Sequence, residues 1–518
     1  MIKAVRRTGL FTSHIKKVAL LSSLIVFLIS SCLFLYRIFN GYAIGRPIIT
    51  DSDYTLFPVL YKDIFITRAP FFWKFSSQLF LFPEFPLYIA TRLFFPNPII
   101  SQYVSGIINI LLTVLLIYLI NKLARLKKFS LSIIFVAFGF LLASIETNPI
   151  LSYIFANVNY YGAFLYSLLG IAFVIYISKT EINLTKKSIS LGIIYGLGVL
   201  ATVVSDPLYI IIFYAGLVIF LGIAAYTKYL SKQKILFIFF INTVPVIMAL
   251  LARKLLVKYI GTGLSSYISI RKIPHAALSL TRQALGLPLL EKIELAIIFI
   301  IILVAFSKLL YIIKSKKRLN LLLFASLASI FPITNLVLVT LSGNDLLRYL
   351  LPTLLYPLIF FPFIINMKSK ARIIMSALII LLTLLVFVTT KYTNVLGEIK
   401  SQMSCIQSNL DSENINQGVA DYWDARALQE YLTDIKIVQI DTDFTPYHWL
   451  NNSYDYINTK PQFVILGPDN AISFKVNPIQ YLGAPEKTYQ CNDKTIYIYK
   501  NNNKLLNLFK GYDPTTAK

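Results

Sequence analysis

Hydrophobic residues in this chain come in long, nearly unbroken blocks, without the strict alternation of a half-buried strand. Roughly 20 predominantly apolar residues are needed to cross the hydrocarbon core of a bilayer. Eleven blocks approach or exceed that length, near residues 18–39, 101–121, 129–146, 158–177, 188–205, 207–226, 235–256, 293–313, 319–341, 349–366 and 372–391. The first is longer than the apolar stretch of a secretory signal and lacks a clean small-residue cleavage site after it, so it is expected to be retained as a helix. Beyond residue 391 the blocks stop. The remainder reads as a small α/β unit, with a helix over 422–432, strands over 435–440 and 463–466, and a hairpin-like pair ending at 495–499. The pattern predicts a polytopic α-helical membrane domain over 1–391, with about eleven transmembrane helices, and a soluble α/β domain over 392–518.

Composition agrees with that division. Of 518 residues, 57% are hydrophobic and 14% charged, which excludes a soluble enzyme. The net charge of +25 would suggest a nucleic-acid partner in a soluble protein. Its distribution removes that reading, because 392–518 carries 11 basic and 14 acidic residues, whereas 1–391 carries 38 and 10. With the N-terminus in the cytoplasm, six short inner segments hold 22 Lys and Arg, beginning with Lys3, Arg6, Arg7, Lys16 and Lys17, and Glu181 is their one acid. This is the positive-inside pattern, and it places the C-terminal domain outside the cytoplasm. The other acids of the membrane part, Asp51, Asp53, Asp63, Glu84, Glu146, Asp206, Glu291, Glu294 and Asp345, fall in outer loops or at outer span ends. Asp and Glu contribute little to topology, so their placement points to chemistry on the outer face.

The first outer loop, 40–100, mixes acids, aromatics and prolines, a composition suited to interfacial helices with Phe71, Phe72 and Trp73 at headgroup level. Within it, Asp51-Ser52-Asp53 is the strongest chemical signal. Two carboxylates one residue apart can share a divalent cation such as Mg or Mn, or one can act as a general base tuned by the other. The competing reading is a cap for a helix starting near Tyr54. Asp63 and Arg68 are spaced for a surface ion pair, and Glu84, between prolines, is read the same way. Asp206-Pro207 reads as a turn.

In the second outer loop, Glu146 and Asn159 stand among Asn148, Asn157 and Tyr160, groups able to hydrogen-bond a sugar or to cap a helix. The fourth carries Lys258, Arg271, Lys272, His275 and Arg282 on an expected amphipathic helix. Arginine forks there match the oxygens of a lipid-linked phosphate; attraction to anionic headgroups is the other reading. His275 has no metal-ligand spacing. In the fifth, Arg348 opens a span and needs a partner, either Asp345 or a phosphate. In the tail, Cys405 and Cys491 lie where a disulfide is permitted, with two free thiols as the alternative. Asp441 and Asp443 read as turn residues; Tyr422, Trp423, Tyr447, His448 and Trp449 suit core packing or stacking on sugar rings.

In layout the chain resembles the GT-C superfamily of integral membrane glycosyltransferases. The residues that carry the likeness are Asp51 to Asp53 after the first span, and Arg348-Tyr349-Leu350-Leu351-Pro352, similar to an arginine-tyrosine-proline signature opening a late span. The resemblance implies a multi-pass protein of a bacterial-type inner membrane that takes sugar from a polyprenyl-phosphate-linked donor to a glycan, lipid or protein acceptor on the outer face. It also implies that Asp51 or Asp53 is the base or metal ligand and that Arg348, with Arg271 and Arg282, holds the donor phosphate. Glu146 occupies the place of a second acid, and Asp345, Asn159 and His275 are supporting candidates. A polysaccharide polymerase or ligase and a transporter or flippase are the competing classes.

Overall fold

The computed structural model describes residues 21–34, 36–37, 40, 52, 54–76, 78–125, 161–180, 185–256, 259–260, 272–286, 289–315, 319–343, 347–364, 381, 394–432, 434–467 and 477–515. Among them, six helices are long and apolar enough to cross a membrane: Pro98–Ala124, Tyr161–Lys179, Lys186–Ser205, Lys232–Leu255, Leu295–Ser315 and Leu319–Leu341. Three shorter apolar helices, Leu21–Phe34, Ile210–Tyr226 and Leu351–Ile364, fall within three further expected blocks. The expected spans 129–146 and 372–391 lie outside the described residues, apart from position 381.

Local sequence sets the helix ends. Asn97 accepts hydrogen bonds from the amides of Ile99 and Ile100, and Pro98 at the first helical position has no N–H to leave unpaired. Thr185 caps the helix Lys186–Ser205, which stops at Asp206 because the residue before Pro207 is driven out of the helical region. Two helices, Tyr161–Lys179 and Leu319–Leu341, form the centre, with 78% and 72% of their apolar windows buried against 44% or less for the other four. The peripheral helices therefore present their apolar side chains outward, as a lipid-facing layer does.

Helices Lys186–Ser205 and Lys232–Leu255 pack along Gly192 and Gly196, which lie on one face four residues apart. Phe237 sits against Gly192, and Ile241 and Pro245 against Gly196, a close approach that small residues allow in a bilayer. Several polar side chains in this interior pair with one another. Tyr195 donates to Asn242 Oδ1 at 2.9 Å and lies 2.9 Å from the Tyr209 hydroxyl, Tyr356 donates to Ser167 at 2.6 Å, and Asn335 donates to Thr353 at 2.8 Å.

The connections sort to two faces. On one, Lys179 bonds the carbonyl of Leu123, Lys234 those of Ser178 and Thr180, and Asn320 that of Ala124. On the other, the 40–100 loop reaches Ser205, Tyr259 and the tail. Its strand β1 (Trp73–Lys74) belongs to a two-stranded sheet with the tail.

The tail contains β2 (Gln417–Asp421), β3 (Lys436–Ile440), β4 (Asn451–Asn452), β5 (Phe463–Leu466), β6 (Lys487–Cys491) and β7 (Lys494–Ile498). Five form one sheet in the order β3-β2-β5-β7-β6, parallel among β3, β2 and β5 and antiparallel beyond. The helix Tyr422–Tyr431 makes the crossover from β2 to β3. Side chains alternate between two buried faces. Ala420, Ile437, Phe463, Ile465 and Ile496 share the large core with the membrane domain. Val419, Val438, Val464 and Tyr499 pack with Leu505 and Phe509 on the other face. The expected helix and strands are present, within a residue or two of their expected ends. The expectation omitted β2 and the long helix Val395–Ser412, whose Cys405 is disulfide-bonded to Cys491 at the end of β6.

Candidate functional site

The 40–100 loop contains the short helices Leu56–Tyr61 and Glu84–Phe94, and its segment around β1 reaches the tail. Trp73 is fully buried, Phe72 stacks on Tyr454 of the tail, and β1 pairs antiparallel with β4. This corrects the expected headgroup position of Trp73 and Phe72: the tail supplies strand and ring partners that cover them. Phe71 remains half exposed. The next residues reach the other connections. The amide of Phe75 donates to Tyr259 O at 2.7 Å, that of Leu79 to Ser205 O at 2.8 Å, and that of Phe82 to Ser205 Oγ at 2.8 Å.

Asp63 is likewise not a surface partner of Arg68. It is buried and accepts from Trp73 Nε1 at 3.0 Å and from Asn452 Nδ2 at 3.2 Å. The guanidinium of the fully buried Arg426 lies over the Trp73 ring at 5.1 Å and exerts a favourable charge interaction on Asp63. Burial pushes the Asp63 carboxyl up against the pull of Arg426, and burial together with Asp63 raises that of Asp455.

Glu84 also lies inside rather than on the surface. Its Oε1 accepts the amide of Gly162 at 3.0 Å, and any side chain at position 162 would overlap the carboxyl. Asp206 does form the expected turn, accepting the Leu208 amide at 3.0 Å, but it too is completely buried. Burial, reinforced by the charge of Asp206, lifts Glu84 to about 8. Burial lifts Asp206 to about 7, opposed by the Leu208 amide and the charge of Arg253. Among the described residues, Glu84 Oε2 and Asp206 Oδ2 have no hydrogen-bond partner. Sequence spacing could not bring together two acids 122 positions apart; only the fold of the loop onto the end of helix Lys186–Ser205 does so.

Of the expected site, Asp51, Asp53, Glu146, Asn159, Arg271 and Asp345 lie outside the described residues. Ser52, between the two acids, is fully buried, and its hydroxyl meets the carbonyl oxygens of Tyr422 at 2.5 Å and Trp423 at 2.9 Å. Ser52 is thus tied to the start of the helix Tyr422–Tyr431. The expected helix after it runs over Leu56–Tyr61 and has no side-chain cap at Thr55. His275 and Arg282 are exposed on the helix Ile273–Gly286, which packs through Ala276 and Leu280. Lys272 lies against Gly343, whose φ of +71° and lack of a side chain leave room for it; an added Cβ would stand 2.8 Å from Lys272 Cβ. The basic helix therefore abuts the turn that leads to Arg348, which lies in the short helix Leu347–Leu350.

Among the described residues, no group of three or more His, Cys, Asp or Glu is arranged to hold a metal ion. Asp441 and Asp443 act as turn residues, as expected, accepting the amides of Thr442 and Thr445. No family model, curated protein or solved structure matches the chain.

Proposed function

We propose that this chain is an eleven-span membrane glycosyltransferase with a cytoplasmic N-terminus and an extracytoplasmic tail. In this reading it moves a sugar from a polyprenyl-phosphate donor to a glycan, lipid or protein acceptor. The observation that carries the proposal is the tie between Ser52 and the carbonyls of Tyr422 and Trp423. It anchors an Asp-Ser-Asp segment at a seam between membrane domain and tail, where a lipid-borne donor and a water-borne acceptor can meet. The contact of Lys272 with Gly343 supports the phosphate half, since it joins the Arg271–Arg282 segment to the turn before Arg348.

In the proposed reaction, Asp51 or Asp53 takes the proton of the acceptor hydroxyl. The acceptor oxygen bonds to the anomeric carbon from the side opposite the phosphate, and the C–O bond to polyprenyl phosphate breaks with inversion. Arg348 and Arg271 offset the charge that develops on the departing phosphate. Mg or Mn, if bound by Asp51 and Asp53, would add Lewis-acid stabilisation there.

The test is mass spectrometry of envelope glycans from cells carrying wild type, Asp51→Asn, Asp53→Asn or both. Loss of one glycan species at normal protein level is expected. An unchanged glycan profile in the double variant overturns the reading.

A further inference from the structure

The helix Glu84–Phe94 is inside out for a segment in water. Its buried residues include Glu84 and Thr91, whereas Pro86, Ala90, Leu93 and Phe94, which share one face at helical spacing, are exposed, Leu93 to 70% and Phe94 to 81%. The buried face is held along the start of the membrane-crossing helix Pro98–Ala124. Thr91 Oγ1 lies 2.6 Å from Ser105 Oγ, and Ser101 Oγ donates to Phe95 O at 2.6 Å. At about 1.5 Å per residue, Ser101 and Ser105 stand about 5 and 10 Å from the first residue of that helix. Its 27 residues measure about 40 Å against roughly 30 Å of hydrocarbon, so in a helix centred on the bilayer these serines mark the boundary between headgroups and acyl chains. Pro98–Ala124 itself exposes Leu111, Leu112 and Leu115 further along, and Leu93 and Phe94 continue that lipid-facing layer up to the headgroups.

Arg92 stands at this boundary. Its guanidinium lies over the Tyr61 ring at 5.6 Å, and Nη1 donates to Phe95 O at 3.4 Å, which holds the fork beside Leu93 and Phe94. Tyr61 in turn contacts Phe65, and Phe65 and Ile66 are 47% and 60% exposed, so further apolar surface adjoins the ring that carries the cation. Among the described residues, no carboxylate forms an ion pair with Arg92. Glu430 of the tail is the acid whose charge reaches it, and burial lifts that carboxyl to about 8 against the pull of Arg92, Arg426 and Lys62. At neutral pH Glu430 is therefore mostly protonated and offsets little of the charge. A cation at the edge of the hydrocarbon needs a counter-charge, and the N–H fork of arginine matches phosphate oxygens.

We propose that Arg92 binds the phosphate of a bilayer phospholipid whose acyl chains lie along Leu93 and Phe94. On the topology proposed above this lipid belongs to the outer leaflet. The site does not depend on the glycosyltransferase reading, since neither the Asp51-Ser52-Asp53 segment nor Arg348 takes part in it.

The experiment uses the full chain in nanodiscs of phosphatidylglycerol. Cys32, the free cysteine, is changed to Ser, and nitroxides are placed by Ala90→Cys, Leu93→Cys and Phe94→Cys, with Asn503→Cys on the exposed surface of the tail as the aqueous reference. Electron paramagnetic resonance with oxygen and a nickel chelate as relaxants reads the surroundings of each label. The three helix labels are expected to favour oxygen over nickel at least about fivefold more than the tail label, as groups buried below the headgroups do. Equal ratios at all four positions overturn the proposal. Labels shielded from both relaxants mark a protein partner, such as a second copy of the chain, and overturn it too. Native mass spectrometry of the unlabelled chain then counts the lipids it keeps. Arg92→Gln is expected to lose one of the phosphatidylglycerol molecules that wild type retains, and Arg92→Lys, which keeps the charge, to retain it. Equal retention by wild type and Arg92→Gln at matched melting temperature overturns the assignment to Arg92. The label measurements leave Arg92 intact, so they stand whichever way that variant folds.

Discussion

Asn452 in the tail donates Nδ2 to Oδ2 of Asp63 at 3.2 Å, across 389 positions of sequence, and its Oδ1 accepts the amide of Phe72 at 3.1 Å. One amide side chain thus satisfies both a buried carboxylate and the backbone beside β1. The tail is held by this polar lock together with the β1–β4 pairing and the Arg426–Trp73 contact.

Removing Asp63 leaves Trp73 Nε1 without its acceptor and Asn452 Nδ2 with the Pro70 carbonyl alone, and it takes one of the acids that face Arg426. Asp63→Ala is expected to weaken tail docking by about 3 kcal/mol or more, and Asn452→Ala by about 1–3 kcal/mol. Limited proteolysis of the full chain in nanodiscs checks this: both variants should release a tail fragment sooner than wild type. Equal cleavage rates would mean that the Asp63–Asn452 lock does not control docking of the domain.

The acids Glu84 and Asp206 predict a pH dependence. Their folded pKa values are raised, so the folded state holds more protons than the unfolded state between the ordinary carboxylate range and about 7 to 8. Stability contributed here is present at low pH and falls as pH rises through that window. Thermal melts from pH 5 to 8.5 should show a falling apparent Tm. Glu84→Gln, which cannot ionise, should flatten the fall and melt higher than wild type at the alkaline end.

Position 162 has no room for a side chain beside Glu84 and Pro83. Gly162→Ala is expected to cost about 1–3 kcal/mol through displacement of the buried carboxyl. The same melts report it, with wild-type behaviour counting against the close approach.

The Cys405–Cys491 bridge spans 86 residues and ties the helix Val395–Ser412 to β6. Cys405→Ser/Cys491→Ser is expected to destabilise the tail by roughly 4–5 kcal/mol in the chain-entropy account. Hydrogen exchange of the full chain should then speed up throughout the sheet while the helix Tyr161–Lys179 stays protected.

By itself, the sequence determined what depends on neighbours along the chain. Apolar blocks must hide their backbone polar groups in helices if they enter a bilayer, so the six long helices and three shorter ones fall where hydropathy placed them. The strand 463–466 was legible from its apolar run, and the pairing of the two tail cysteines from their number and setting. The helix Val395–Ser412 and β2 were missed because polar side chains interrupt the one and small residues, Gly418 and Ala420, fill the other. Tertiary structure decided which polar residues lie inside. Asp63, Glu84 and Asp206 look alike in sequence as loop acids, yet their burial depends on Asn452, Gly162 and Ser205, groups that only the folded chain brings to them or to the segment that carries them. Trp73 was read as a headgroup anchor, and Trp423 as suited to core packing or to stacking on sugar rings. The structure buries the first where β1 pairs with β4 and leaves the second 54% exposed, out of the core.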